Sequence, residues 1–81
     1  MNIKSEDIMQ LSAQFDLDRG FTHVSRDAGN NDSEVGLWTD KPKYEKHNGH
    51  YAGEVYIDIP RKYYQHLEMG QCLSLEEILK K

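Results

Sequence analysis

The amino-acid sequence predicts an α+β fold, in which an N-terminal helix packs on a three-stranded antiparallel meander and one or two short C-terminal helices follow. Three observations predict this fold. A helical spacing of apolar residues precedes three strand-like segments, the connections between these segments are rich in turn-forming residues, and no helix separates them. Direct connections of this kind favour antiparallel neighbours. A chain of 81 residues has room for a single small domain, residues 1–81, and not for two.

The first element is a helix predicted at about residues 5–16. Ser5 is a suitable N-cap, and the two acidic residues after it suit the positive end of a helix dipole. Three apolar residues then recur at helical spacing, and we expect the helix to bury this stripe against the sheet: Ile8, Leu11 and Phe15. Gly20, which can adopt a positive φ, is expected in the turn that follows.

Three strands are predicted next, at residues 21–27, 34–40 and 54–60. Phe, Thr and Val in the first segment favour a strand, and a stretch of turn formers separates it from the second. The third segment has the clearest alternation of apolar and polar residues in the chain. We expect residues 41–50 to form the connection between the second and third strands, with a turn at Asn48–Gly49.

The alternation also predicts which side chains share a face of the sheet. Val35 and Leu37 lie on one face of the second strand, whereas Trp38 lies on the other. In the third strand Tyr56 falls on the face opposite Ile57. If these strands are neighbours, we expect the rings of Trp38 and Tyr56 to share the face that points away from the helix.

The C-terminal part of the chain predicts one or two short helices. Pro60 ends the third strand and suits the first turn of a helix, and Gly70 is a suitable C-terminal cap. The last segment leaves two alternatives open. Residues 72–75 favour a short edge strand, whereas Ser74 and Glu77 match a capping box that begins a final helical turn.

Composition and charge limit the environment and the class of partner. Residues 1–40 carry three basic and eight acidic side chains and residues 41–81 carry seven and six, which gives a net charge of −4. This balance argues against a general nucleic-acid-binding protein. The single cysteine excludes an intrachain disulfide and is typical of a reducing compartment. Because no membrane span or signal peptide is recognisable, we expect a cytoplasmic protein that has no membrane partner.

The candidate metal and catalytic residues fit no known constellation. His47 and His50 form an HxxH pair, but a zinc site needs a second pair of ligands and the intervening residues favour a turn. The acid-rich stretches at residues 16–20 and 27–34 do not match the ligand spacing of a calcium loop. We expect Cys72 to be a small core side chain rather than a nucleophile. The sequence therefore predicts no metal, no cofactor and no enzymatic activity.

The aromatic residues and a lysine-rich loop predict where a partner would bind. Tyr and Trp are enriched at protein interfaces, and this chain has five Tyr and one Trp. We expect a partner-binding surface made of rings and lysines: Trp38, Lys41, Lys43, Tyr44, Lys46, Tyr51 and Tyr56. Its occupant would be a foreign protein or a second copy of the chain. The alternative is nucleic acid, with the lysines of residues 41–47 on phosphates and the rings stacked on bases.

Several residues of this region also match a pattern found in other proteins. They are Trp38, the Lys41–Pro42 pair, Gly49, Ile59–Pro60, Leu67, Gly70 and Cys72. Over about residues 35–77 the chain resembles short uncharacterised proteins of tailed bacteriophages and prophages. The resemblance implies a phage-encoded accessory protein that binds and inhibits a host protein, such as an anti-phage defence factor. It implies no catalytic or binding residues.

Overall fold

The structure, a computed structural model, describes residues 5–27, 34–47, 49–53 and 56–80. Its elements confirm the predicted α+β class. They are helix α1 (Ser5–Asp18), the strands β1 (His23–Ser25), β2 (Glu34–Trp38), β3 (Lys43–Glu45), β4 (His50–Ala52), β5 (Tyr56–Pro60) and β6 (Cys72–Ser74), a 3₁₀ turn (Arg61–Tyr64) and helix α2 (Leu75–Leu79). No helix within the described ranges has the length and apolar character that crossing a membrane requires.

Four strands form one antiparallel sheet in the order β5-β2-β1-β6. The predicted three-stranded meander is its β5-β2-β1 part, in which Leu37 pairs with Val24 on one side and with Ile57 on the other. Residues 54–55 of the third predicted strand lie outside the described residues, as do residues 28–33 of the predicted loop.

Strand β6 and helix α2 show that each alternative is correct for part of the C-terminal segment, because the strand ends at Ser74 and Leu75 begins α2. Strand β6 pairs antiparallel with β1 at the edge of the sheet. Its last residue, Ser74, then caps α2, because its hydroxyl accepts a hydrogen bond from the backbone N–H of Glu77 at 3.1 Å. Residues 72–74 therefore form a strand, and Ser74 at its end is also the N-cap of the helix that follows.

A two-stranded hairpin occupies the predicted connection between β2 and β5. Its strands β3 and β4 pair antiparallel, with Tyr44 opposite Tyr51. Gly49 in its turn has a φ of 71°, a value that favours glycine. Asn48 of the predicted turn lies outside the described residues. The sequence does not predict these strands because each has only three residues and neither has an apolar face.

The core lies between the four-stranded sheet and the helices. Its buried apolar side chains come from α1, β1, β2, the 3₁₀ turn, the segment after that turn, and α2. They are Met9, Ala13, Val24, Val35, Leu37, Tyr64, Leu67, Leu75 and Ile78. Helix α1 contacts α2 and the 3₁₀ turn, so that the N- and C-terminal parts of the chain close over the same face of the sheet. The opposite face is left to the hairpin.

Helix α1 buries a different stripe from the predicted one. Met9 and Ala13 are buried, whereas Leu11 is 67% exposed and Phe15 is 61% exposed. The prediction that Leu11 and Phe15 pack against the sheet is therefore wrong. The helix instead turns its Met9–Ala13 side inward, and Asp16, one turn further along, is buried with them.

A hydrogen-bonded carboxylate explains this orientation of α1. The side chain of Asp16 accepts a hydrogen bond from the Tyr64 hydroxyl at 2.5 Å and one from the Arg19 guanidinium at 3.2 Å. A buried carboxylate is tolerated only when such partners replace water. Because Tyr64 is itself fully buried, this pair links α1 to the end of the 3₁₀ turn inside the core.

Candidate protein-binding surface

Trp38 lies on the sheet face that points away from α1. Only 3% of its surface is exposed, and its indole N–H donates a hydrogen bond to the Ser25 hydroxyl at 2.9 Å. The ring of Tyr56, directly opposite on β5, stacks on it with centroids 4.6 Å apart and 26° between the ring planes. The predicted neighbourhood of Trp38 and Tyr56 is therefore confirmed.

The hairpin region covers the indole of Trp38 from outside. A Cβ atom on Gly53 would lie 2.9 Å from Cε3 of Trp38 and 3.5 Å from Cα of Pro42, which is buried. Such a distance is too short for any side chain, so the backbone reaches the ring only because residue 53 is glycine. The sequence predicts Trp38 in the contact surface. That expectation needs correction, because the hairpin absent from the predicted fold buries the ring, which therefore supports the surface from beneath.

Tyr51 attaches the hairpin to the rest of the molecule. Its hydroxyl donates a hydrogen bond to the carbonyl oxygen of Gly70 at 2.6 Å, and its backbone N–H donates one to Asp27 at 3.2 Å. Burial raises the pKa of the Tyr51 phenol, and the nearby Cys72 thiol acts in the same direction. The phenol therefore stays a hydrogen-bond donor at neutral pH, and we assign Tyr51 an anchoring role.

The remaining predicted residues are accessible. Tyr44 is 36% exposed and packs against Tyr51, with centroids 4.9 Å apart and the rings tilted by 54°. Tyr56 is 51% exposed beside the hairpin. The three lysines are exposed as well. We define the hairpin surface by its accessible members: Lys41, Lys43, Tyr44, Lys46 and Tyr56.

Charge distinguishes the hairpin surface from the rest of the chain. Residues 41–47 carry three lysines and one glutamate, a local net charge of +2 in a chain of net charge −4. The structure places these lysines on or beside one short hairpin whose backbone is held by Tyr51. The arrangement can bind a surface of negative charge, with the rings of Tyr44 and Tyr56 as apolar contacts.

The structure describes several of the histidines and acids considered for metal binding. Among the described residues, no group of three or more His, Cys, Asp or Glu side chains is placed to hold a metal ion. His47 is exposed in the turn after β3, and the side chain of His50 lies outside the described part of the chain. Asp16 is engaged in the core by Tyr64 and Arg19.

Cys72 occupies β6 opposite Ser25, on the hairpin side of the sheet, and is half-buried. Burial raises the pKa of its thiol to about 11, although the positive charge of Lys41 opposes the shift. A thiol with this pKa is protonated at neutral pH and is a poor nucleophile.

We expect iodoacetamide to alkylate Cys72 slowly in the folded chain. At pH 8 the rate should be about two orders of magnitude below that of the urea-unfolded chain, because the thiolate fraction falls about tenfold per pKa unit. The folded pKa is about 11 and the unperturbed value is 9.0. A time course followed by mass spectrometry measures both rates, and equal rates would contradict a protonated, shielded thiol.

A second surface, which the sequence does not predict, lies between α1 and β5. It is an open groove of about 510 Å³ lined by Ile8, Leu11, Ser12, Phe15, Asp16, Arg19, Ile59 and Tyr63. We call it the α1–β5 groove. The only sequence signal for it is the apolar stripe of α1, and that stripe is equally typical of a buried helix face.

Comparison with known proteins adds no relative. No family model, curated protein or solved structure matches the chain. The structure gives an α+β fold, and its described residues include the hairpin surface and the α1–β5 groove.

Proposed function

We propose that this chain is a non-enzymatic protein-binding domain whose hairpin surface docks on an acidic surface of another protein. The observation that carries the proposal is the exposure of Tyr44 and Tyr56 beside three lysines on a supported hairpin. Tyr rings provide a large contact area with few rotatable bonds, which makes them frequent anchors of protein interfaces.

The support beneath the hairpin favours binding by reducing the entropy lost on contact. Gly53 lies against the buried ring of Trp38, and the Tyr51 hydroxyl is bonded to Gly70. Both contacts are made by β4 or by the residue that follows it, and they hold this strand of the hairpin in place before a partner binds. A surface that is already ordered loses less conformational freedom on binding than a flexible loop does.

Charge determines the kind of partner. The local charge of +2 on residues 41–47 attracts an acidic protein surface, whereas the rest of the chain, with a net charge of −6, repels one. The acidic surface of the partner is therefore expected to contact the hairpin surface before any other part of the chain. The resemblance to short phage proteins supports a host protein in the bacterial cytoplasm as this partner, and inhibition of that protein, such as a defence factor, as the consequence.

Nucleic acid is the second candidate, because Lys41, Lys43 and Lys46 lie close enough in sequence to follow a phosphate backbone. The geometry of the aromatic rings favours nucleic acid less than it favours a protein partner. Tyr44 leans on Tyr51 at 54°, and the Tyr51 hydroxyl is fixed to Gly70, so this pair does not form parallel rings on which successive bases stack.

The test is affinity capture from a nuclease-treated bacterial lysate with a charge-reversed variant. The double substitution Lys43→Glu and Lys46→Glu is expected to reduce the captured protein roughly tenfold or more, since it replaces attraction by repulsion at the contact. The matched control, Lys62→Glu and Lys80→Glu, makes the same charge change at exposed lysines elsewhere and should retain it. Quantitative mass spectrometry measures the captured amounts.

Three results would contradict the proposal. Capture of the same protein by both variants would show that the hairpin lysines do not contact it. Equal loss from both would show that net charge alone drives the association. A mobility shift of a single-stranded oligonucleotide that the hairpin variant abolishes, without any captured protein, would favour the nucleic-acid alternative.

A further inference from the structure

The outer edge of β5 is open beside the α1–β5 groove. In the sheet order β5-β2-β1-β6, β5 is a terminal strand, so within the described residues only one side of its backbone pairs with another strand. An open strand edge is a template for a further strand. The hairpin surface does not use this edge for contact, apart from the ring of Tyr56 on the other face of the sheet.

Exposed apolar side chains surround this edge on the α1 side. Ile57 pairs with the core residue Leu37, so it lies on the face that α1 covers, yet it is 39% exposed. Tyr63 is 41% exposed, and Leu11 and Phe15 are exposed by more than half. Contiguous apolar patches on a small domain mark contact sites.

We propose that a second copy of this chain covers the groove by pairing its own β5 antiparallel with this one. A two-fold axis at Ile57 relates the copies, and the two four-stranded sheets join into one sheet of eight strands. The two α1 helices lie on the same face of that sheet, where Leu11 and Phe15 of both copies close over the joint. The dimer leaves Tyr44 and the lysines of the hairpin surface free, whereas Tyr56 lies beside the joint on the opposite face of the sheet.

The pattern of charge supports a copy of this chain as the occupant. The charged residues that line the groove, Asp16 and Arg19, form an ion pair at 3.2 Å, so an apolar strand meets no net charge there. Strand β5 has that apolar pattern itself, because Ile57 and Ile59 alternate toward the α1 side. The chain therefore supplies a strand that matches its own groove.

Charge also excludes one register. Like charges directly opposite each other destabilise a strand pair. An axis at Asp58 would place two carboxylates opposite each other, whereas an axis at Ile57 places Asp58 opposite Tyr56 of the other copy. The second arrangement also brings the two exposed Ile57 side chains together in the joint.

The available area fits a weak dimer. A standard interface buries about 800 Å² per partner, about a seventh of the 5552 Å² surface of this chain. At about 200 Å² per ring, Phe15 and Tyr63 already expose on the order of 200 Å² between them. Leu11, Ile57 and the strand edge add to this, and we expect a dissociation constant in the micromolar range.

Disulfide trapping tests the proposed axis in a Cys72→Ser background. Directly opposite strand residues have Cα atoms about 4.5–5.5 Å apart, within reach of a disulfide. Ile57→Cys is therefore expected to give a covalent dimer within minutes of mild oxidation. Asp58→Cys is the matched control. In this register its two copies lie more than about 7 Å apart and on the other face, so it should stay monomeric.

Sedimentation measures the dimer without a cross-link. The wild type is expected to dimerise with rising concentration, and Leu11→Glu with Phe15→Glu should remain monomeric, since both side chains are largely exposed and their replacement leaves the core intact. Monomeric wild type at all concentrations, or equal trapping of both cysteine variants, would overturn the proposal. Either result leaves the hairpin-surface proposal standing, because Tyr44 and the lysines that carry it lie outside β5.

Discussion

Replacing Trp38 by alanine is expected to lower the free energy of unfolding by about 3–5 kcal/mol, the usual cost of removing a buried large aromatic side chain. The loss is large because the ring fills the space between the sheet and the hairpin region. Tyr56 stacks on one side of it and Gly53 lies against another. A chain of 81 residues has a total stability of only about 4–12 kcal/mol, so the variant should unfold at much lower urea.

Urea denaturation followed by circular dichroism measures this effect, because the variant lacks the fluorescent indole. Trp38→Phe should lower the free energy of unfolding by less than Trp38→Ala does, since a ring is retained. The control is Tyr56→Ala. It removes the ring that stacks on Trp38 but is itself 51% exposed, so we expect it to cost far less than Trp38→Ala. Equal costs for the two alanine variants would contradict a buried, covered Trp38.

Breaking the Asp16–Tyr64 pair is expected to have the second largest effect. Tyr64→Phe should destabilise the fold by about 2–3 kcal/mol, because it removes a buried hydrogen bond to a charged group and leaves a carboxylate short of a donor. Gln14→Ala is the control: its amide bonds Asp18 on the exposed side of the same helix, and its removal should change stability by less than about 0.5 kcal/mol.

The pH dependence identifies the role of Tyr64 more specifically. Burial and the hydrogen bond to Asp16 raise the pKa of the Tyr64 phenol above its ordinary value of 10.0. Above about pH 10 the unfolded chain therefore loses this proton while the folded chain keeps it, and stability falls as pH rises. Tyr64→Phe should abolish that component of the alkaline decline. An unchanged alkaline decline in the variant would rule out this assignment.

The strands of the main sheet are predictable where alternation is strong. In β2, Val35 and Leu37 face the core and Trp38 faces away, as their spacing predicts. The same rule places Tyr56 beside Trp38. Residues 72–75 fit both a strand and a helix start for a physical reason: a strand that ends on an N-cap carries the signals of both elements.

The orientation of α1 is not predictable from its own sequence. Hydrophobicity favours burial of the Leu11–Phe15 side over the side that carries Asp16. The observed orientation depends on Tyr64, a residue 48 positions away that supplies the hydroxyl which satisfies Asp16 inside the core. The spacing of apolar residues within one helix gives no information about a partner so distant in sequence. The α1–β5 groove is not predictable from the sequence for the same reason.

The hairpin determines which residues of the predicted contact surface are accessible. Strands β3 and β4 are short and polar, so their sequence predicts only a connection. Their presence buries Trp38 and half-buries Tyr51, which turns two expected contact residues into supports. The accessible surface is therefore smaller than the predicted one, and the contacts of Trp38 and Tyr51 hold it in place.

The most direct test of the hairpin surface is chemical-shift mapping of the isotope-labelled chain during titration with the protein that affinity capture identifies. We expect the largest amide shifts at residues 41–47 and at Tyr56, with little change along α1. These shifts should weaken as salt is raised, since the contact is between opposite charges. Changes confined to α1 and Tyr63, with the hairpin amides unmoved, would contradict the claim that the hairpin binds the partner.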